Sequence, residues 1–155
     1  MSYFDPKKET CLIVDASPHG LGAILCQTKQ ETPEDIKVIA YGSRALTNVE
    51  SRYSQTEREA LAIVWGCEHF HLHIHGQKVR VVTDHKPVQL IWSNPSSKPP
   101  ARIERWGLRL QPYDLEIVYR PGKDNPADTC HAIQSTMQAQ TIACPNKRNR
   151  TSTSS

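Results

Sequence analysis

The stretch CLIVDASPHGLGAILCQ, Cys11 to Gln27, constrains the fold of this chain more than any other. Cys11-Leu12-Ile13-Val14 is an apolar run, Ser17-Pro18-His19-Gly20 has turn chemistry, and Leu21 to Gln27 is apolar again, with Gly22 allowing close packing. Thr10 to Lys29 therefore reads as two strands around a turn. Asp15 breaks the pattern, because a carboxylate inside a buried strand is costly unless it is paired, solvated or bound to a metal.

The segment Ile36 to Ser43 (IKVIAYGS) reads as a third strand, which makes the first third of the chain an antiparallel meander. After Asn48 the pattern changes. Ser54-Gln55-Thr56-Glu57 offers a capping box, with Ser54 as N-cap and Glu57 three residues later. The run ALAIVW that follows has almost no polar face, so the helix is expected to pack against a sheet and to be covered on other sides, ending near Gly76. A fourth strand, Lys78 to Thr83, ends at Asp84. A loop from Ser93 to Pro100 precedes the basic amphipathic helix ARIERWGLRLQ, in which Ile103, Trp106 and Leu110 share one face and Arg102, Arg105 and Arg109 another. Leu115 to Arg120 is a fifth strand, and a short helix is expected from Pro126. The fold class that follows is α/β, a five-stranded mixed sheet with three antiparallel strands first, then parallel crossovers, and helices on both faces.

With 155 residues, 37% hydrophobic and 23% charged, the chain is one domain with a substantial core, and not wholesale disorder. A net charge of +3 permits nucleic acid as a partner without indicating it. Five scattered cysteines without a CxxC pair fit reduced core thiols. No apolar run is long enough for a bilayer and the N-terminus lacks a signal peptide's apolar stretch, so the expectation is a soluble, intracellular chain. Residues 135–155 read as a disordered tail.

Asp15 on the first strand, Glu59 on the long helix, Asp84 at the end of the fourth strand and Asp128 in the last short helix can converge if the first and fourth strands are neighbours. Carboxylates meeting in a cleft repel and raise one another's pKa values, and divalent cations remove that cost. Mg²⁺ suits such oxygen ligands, and two ions about 4 Å apart can act on a phosphodiester. With 16 acidic residues in the chain, spacing alone leaves solvated surface acids as the alternative. Glu59 is preferred over Glu57 because residues two apart on a helix point about 200° apart, Glu57 is used at the helix start, and Glu59 lies with Ile63 on an inward face.

Other features have two readings each. His69, His71, His73 and His75 have i,i+4 pairs suited to zinc, but the favoured reading is a set of imidazoles near a helix C-terminus. His85 reads evenly as a substrate-side residue or as a loop residue set by the TDHKP turn. Lys98, Arg102, Arg105, Arg109 and Lys123 are candidates to track phosphates, against solvated surface charges. Trp65, Trp92 and Trp106 read as core.

The segments LIVDASPHGLGAIL, YGSRALTNVESRYSQTEREALAIVWGCEHF, VRVVTDHKPVQLIW and IVYRPGKDNPAD resemble, in this order, the RNase H domain of gypsy-class LTR retrotransposon Pol polyproteins. The resemblance implies the RNase H-like fold, with residues 1–9 as a remnant of a reverse transcriptase junction and 10–134 as the domain. It implies hydrolysis of the RNA strand of RNA–DNA hybrids to 5′-phosphate and 3′-hydroxyl ends. Two Mg²⁺ ions, with Mn²⁺ as substitute, would be held by Asp15, Glu59, Asp84 and Asp128. A reverse transcriptase domain of a parent polyprotein is the implied protein partner, with no membrane and no nucleotide cofactor, in the cytoplasm, a retroelement particle or the nucleus. The loop RPGKDNP lacks the mobile histidine found before the last acid in many cellular and retroviral RNase H enzymes, as the gypsy-class pattern also does. After Asp128 the family usually continues ADxLSR, whereas this chain reads ADTCHAI, a change that looks like a frameshift, a splice or a decayed element end. The alternative expectation is therefore a catalytically inactive remnant that only binds nucleic acid or a protein.

Overall fold

The structure, a computed structural model, describes residues 3–28 and 36–121. Lys123, Asp128, the short helix expected from Pro126 and the expected tail all lie outside the described residues. Strands β1 (Glu9–Ala16), β2 (Gly20–Thr28) and β3 (Ile36–Ala45) are followed by helices α1 (Gln55–His69) and α2 (His71–Ile74). Then come β4 (Lys78–Thr83), α3 (Lys86–Ser93), α4 (Ala101–Leu110) and β5 (Asp114–Tyr119). The five strands form one mixed sheet in the order β3-β2-β1-β4-β5.

The Ser17–Gly20 turn does what its composition suggests. The Ser17 hydroxyl accepts from the amides of His19 and Gly20, and the Ser17 amide donates to the Gly20 carbonyl. That closure sets the antiparallel register in which Cys11 faces Cys26 and Asp15 faces Gly22, so β2 places no side chain opposite Asp15. β4 pairs parallel to β1, Ile13 against Val82. Two residues further along that register, Asp15 comes level with Asp84.

Alternation decides what each strand buries. Leu12, Val14 and Ala16 of β1, Ala23 and Leu25 of β2, and Val79 and Val81 of β4 join one core cluster beneath the helices. α1 covers it with Ala60 to Val64 and Cys67, all buried. The helix comes closest at Gly66, where an added Cβ would meet the Ala23 Cβ at 3.2 Å and Val14 at 3.3 Å. On its other side α4 brings down Ile103, Trp106 and Leu110, leaving its arginines outward. Truncating a residue such as Ile63, fully buried there, costs about 2–5 kcal/mol.

Two elements differ from expectation. The long helix ends at His69 rather than near Gly76, because Phe70 leaves helical geometry (φ −100°, ψ 24°) and is buried. The chain then makes the short α2 before Gly76 turns at φ +81°. α3 is an additional helix within what reads as turn and loop. Its start is marked by Pro87 in the first turn, and Val88 anchors it in the core with Ile91 and Trp92 packed alongside. No helix among the described residues is long and apolar enough to cross a membrane. Cys11, Cys26 and Cys67 are free thiols, as their spacing suggests.

Candidate metal centre

Three elements end at one corner of the sheet. β1 brings Asp15, β4 hands over to Asp84 just past its last residue, and the first turns of α1 bring Glu59. Each offers one carboxylate oxygen, and the three oxygens lie within 4.8 Å of one another. Among the described residues, this is the one group of three or more histidine, cysteine or carboxylate side chains near enough to share a metal ion. Asp128 lies outside the described residues.

The three acids are unequally buried: Asp84 is exposed, Asp15 half-buried, and Glu59 only 2% exposed. The Gln55 amide donates to Glu59 Oε1 at 2.8 Å, and Arg58 Nη2 donates to the Gln55 carbonyl oxygen at 2.7 Å, which fixes which way the amide faces. Glu59 Oε2 is buried and has no hydrogen-bond partner among the described residues. Burial, and then the charges of Asp84 and Asp15, push the Glu59 carboxyl up to about 8. A buried oxygen without a donor, aimed among like charges, is what a cation would relieve. The donor set is all carboxylate oxygen, which suits a hard divalent ion.

Glu57 has a different place on the same helix. Its amide donates to the Ser54 hydroxyl at 3.2 Å, completing the N-cap, while its carboxylate accepts from that hydroxyl and pairs with Arg102. The capping box thus closes through the Ser54 hydroxyl. Glu59, and not Glu57, is the glutamate of α1 grouped with Asp15 and Asp84.

His85 is the residue preceding α3. Its ring Nε2 lies 3.1 Å from the Thr56 hydroxyl, and its amide donates to Thr83 Oγ1 at 3.2 Å. Gln55 and Thr56 are the two side chains at this corner that the sequence reading did not single out. The i,i+4 spacing of Gln55 and Glu59 was the available signal for one, and nothing in the pattern pointed to the other.

The basic residues are dispersed. Arg102 pairs with Glu57 and lies 4.2 Å over the Tyr53 ring, and Arg109 makes two bonds to the Glu68 carboxylate, 2.8 and 2.6 Å. Arg105 is exposed and bonds only the Ala101 carbonyl, at 3.4 Å, among the described residues. Together with Trp106 they line a groove of about 400 Å³. Lys98 is exposed in the loop before α4. Of the histidine run, His69 stacks on Trp65, His73 packs against Phe4 and Phe70, and His71 Nδ1 meets the Tyr113 hydroxyl at 2.6 Å. Trp106 is buried, and Trp65 and Trp92 pack against the core.

Comparison with known proteins covers most of the described chain. The family of the RNase H-like domain found in reverse transcriptase matches residues 5–113. The retrovirus-related Pol polyprotein from transposon 412 of Drosophila melanogaster is 40% identical over 129 residues, which is 81% of this chain and 10% of that polyprotein. The chain spans about a tenth of the length of the curated relatives it matches. Among solved structures, RNase H1 from the archaeon Halobacterium salinarum aligns with a TM-score of 0.60 at 12% identity, over 88% of this chain and 99% of that one. The foamy viral protease-reverse transcriptase in complex with RNA/DNA hybrid aligns with a TM-score of 0.57 at 19% identity, over 77% of this chain and 16% of that one.

Proposed function

This chain belongs to the family of RNase H-like domains found in reverse transcriptase, and on that premise we propose that it hydrolyses the RNA strand of RNA–DNA hybrids at the Asp15–Glu59–Asp84 corner. The observation that carries the reading is Glu59, a buried glutamate whose Oε2 has no hydrogen-bond partner among the described residues and which offers one carboxylate oxygen within 4.8 Å of those of Asp15 and Asp84. Divalent cations held there, Mg²⁺ or Mn²⁺ and two in number, would activate water and stabilise the departing 3′ oxygen, leaving 5′-phosphate ends. Asp128 is proposed as the fourth ligand, as the family resemblance implies.

The chain's own residues divide the remaining work. Asp15 is on β1 and Asp84 directly follows the last residue of β4, the strand paired parallel to β1, so the sheet brings them side by side. Glu59 is held by Gln55, and its carboxyl carries a proton until pH rises through about 8. A divalent cation held there would favour the deprotonated carboxylate. Asp84, the exposed member, stands where substrate approaches. Arg105 and Lys98 offer charges for hybrid phosphates, joined by Lys123 and by Arg102 and Arg109 where these release their glutamates. Duplex shape and 2′-hydroxyl contacts would separate hybrid from DNA without reading sequence. The structure of the foamy viral enzyme in complex with RNA/DNA hybrid supports this choice of substrate, and a reverse transcriptase domain is the proposed neighbour in a parent polyprotein.

The test is cleavage of an end-labelled RNA strand in a hybrid, with Mg²⁺ and then Mn²⁺, beside the Asp84→Asn variant. Metal-dependent cutting that vanishes in the variant is the expected result. A well-folded chain that cuts in neither metal ends the proposal and favours the second reading, a non-catalytic remnant, which the altered sequence ADTCHAI from Ala127 onward motivates.

A further inference from the structure

The three carboxyl groups reach the corner from three separate elements, and ionising all of them there sets like charges against one another. Asp15 and Asp84 are tied through the sheet. Glu59 is not, since it belongs to a helix lying over the sheet. Among the described residues one side-chain hydrogen bond joins the first turn of α1 to the β4–α3 corner, that between Thr56 Oγ1 and His85 Nε2. Thr56 is three residues before Glu59 on the helix, and His85 follows Asp84 directly.

The corner is fixed on its strand side as well. Thr83 is 1% exposed, its carbonyl accepts from the Arg120 amide at 2.9 Å, and its hydroxyl accepts from the His85 amide at 3.2 Å. Asp84 thus lies between a threonine anchored in the sheet and a histidine anchored to the helix. The bond to Thr56 forms with a neutral imidazole in either tautomer, the ring donating to the hydroxyl or the hydroxyl to the ring.

We infer that Thr56 and His85 are a pair of positioning residues, a latch that sets the separation of Glu59 and Asp84. The inference rests on the reading of this corner as a cation site, and it gives His85 a task other than contact with nucleic acid. Its physical ground is that a ligand set tolerates displacements of only about 0.5 Å, and that side chains behind the ligands hold it within that limit. Thr56 acts through its hydrogen bond to His85.

The experiment compares the full chain with Thr56→Val, Thr56→Ser, His85→Ala and the Thr56→Val/His85→Ala double variant. Mn²⁺ affinity is measured by calorimetry, and kcat and KM on a hybrid at saturating Mn²⁺. Thr56→Val is expected to weaken Mn²⁺ binding and lower kcat by about tenfold each, with KM for hybrid within about twofold of the parent. Thr56→Ser restores both, and the double variant is no worse than the worse single one, as coupled partners require. Should Thr56→Val fail to fold, half-buried His85→Ala carries the same comparison. Unchanged Mn²⁺ affinity and kcat in the folded variants overturn the latch, as does a rise in KM alone, which would make His85 a substrate contact. A parent chain that binds Mn²⁺ but cuts nothing removes the nuclease reading while the latch is still judged on Mn²⁺ affinity. A parent chain that binds no Mn²⁺ overturns both.

Discussion

Helix α1 carries three glutamates, and the seam it shares with α4 treats them differently from the corner it shares with the sheet. Along the seam, Glu57 pairs with Arg102 and Glu68 with Arg109. At the corner, Glu59 is more deeply buried than either and faces Asp15 and Asp84. Compensation is thus supplied where charges are solvated and inexpensive, and withheld where an unpaired charge costs most. The contrast marks the corner as the place to test for function, since there the fold buries a carboxylate beside its own kind.

The largest expected effect separates the two regions by activity. Asp84→Asn should reduce cleavage by roughly 10²–10³-fold or more with little change in melting temperature, whereas Glu68→Gln in the seam should leave kcat within about twofold. Equal losses would mean that the corner has no special role. Next comes metal linkage. Mn²⁺ at about 100 times its dissociation constant should stabilise the parent chain by about 2.7 kcal/mol, seen as a rise in melting temperature that Glu59→Gln abolishes and Glu57→Gln preserves.

The pH profile sharpens the contrast further. The folded-state pKa of Glu59, about 8, lies above the 4.5 of an ordinary glutamate. The folded chain therefore holds the extra proton between those values, and stability present below 4.5 is lost as pH rises through 8. Glu50 is the opposite case. Arg44 beside it, with two bonds of 2.7 Å, holds its carboxyl down at about 2, so its contribution is present above 4.5 and lost as pH falls through 2. Melting temperature measured in chelator should fall on both sides of about pH 4.5, and Glu59→Gln should flatten only the alkaline side. The smallest effect belongs to the seam: breaking the Arg109–Glu68 pair with Arg109→Ala should cost about 0–1 kcal/mol and less in high salt, as urea unfolding would measure.

Much of the site was legible before any coordinates. Asp15 stands out because its neighbours are apolar, and the choice of Glu59 over Glu57 follows from helix geometry and the cap at Ser54. Other features were hidden for physical reasons. α3 escaped because HKP reads as a turn, and its eight residues leave little periodicity beyond Val88, Ile91 and Trp92. The break at Phe70 escaped because the apolar pattern continues through Leu72 and Ile74, while contacts from distant residues, such as Tyr113 on His71, act on the chain just past it. The arginines of α4 were assigned to the correct face, yet their partners, Glu57 and Glu68, lie 45 and 41 residues away.

The strands, the turn between the first two and the capped helix could be read locally, because turn chemistry, period-two burial and cap residues act over a few positions, while the family was legible through the resemblance of its motifs. Which carboxylates are neutralised and which converge depends on packing. That outcome depends on β4 lying beside β1 and on α1 lying between the sheet and α4. Charges interact across space rather than along the chain, so the pairing of Glu68 with Arg109, the isolation of Glu59 Oε2 and the bond from Thr56 to His85 exist only once those layers have packed.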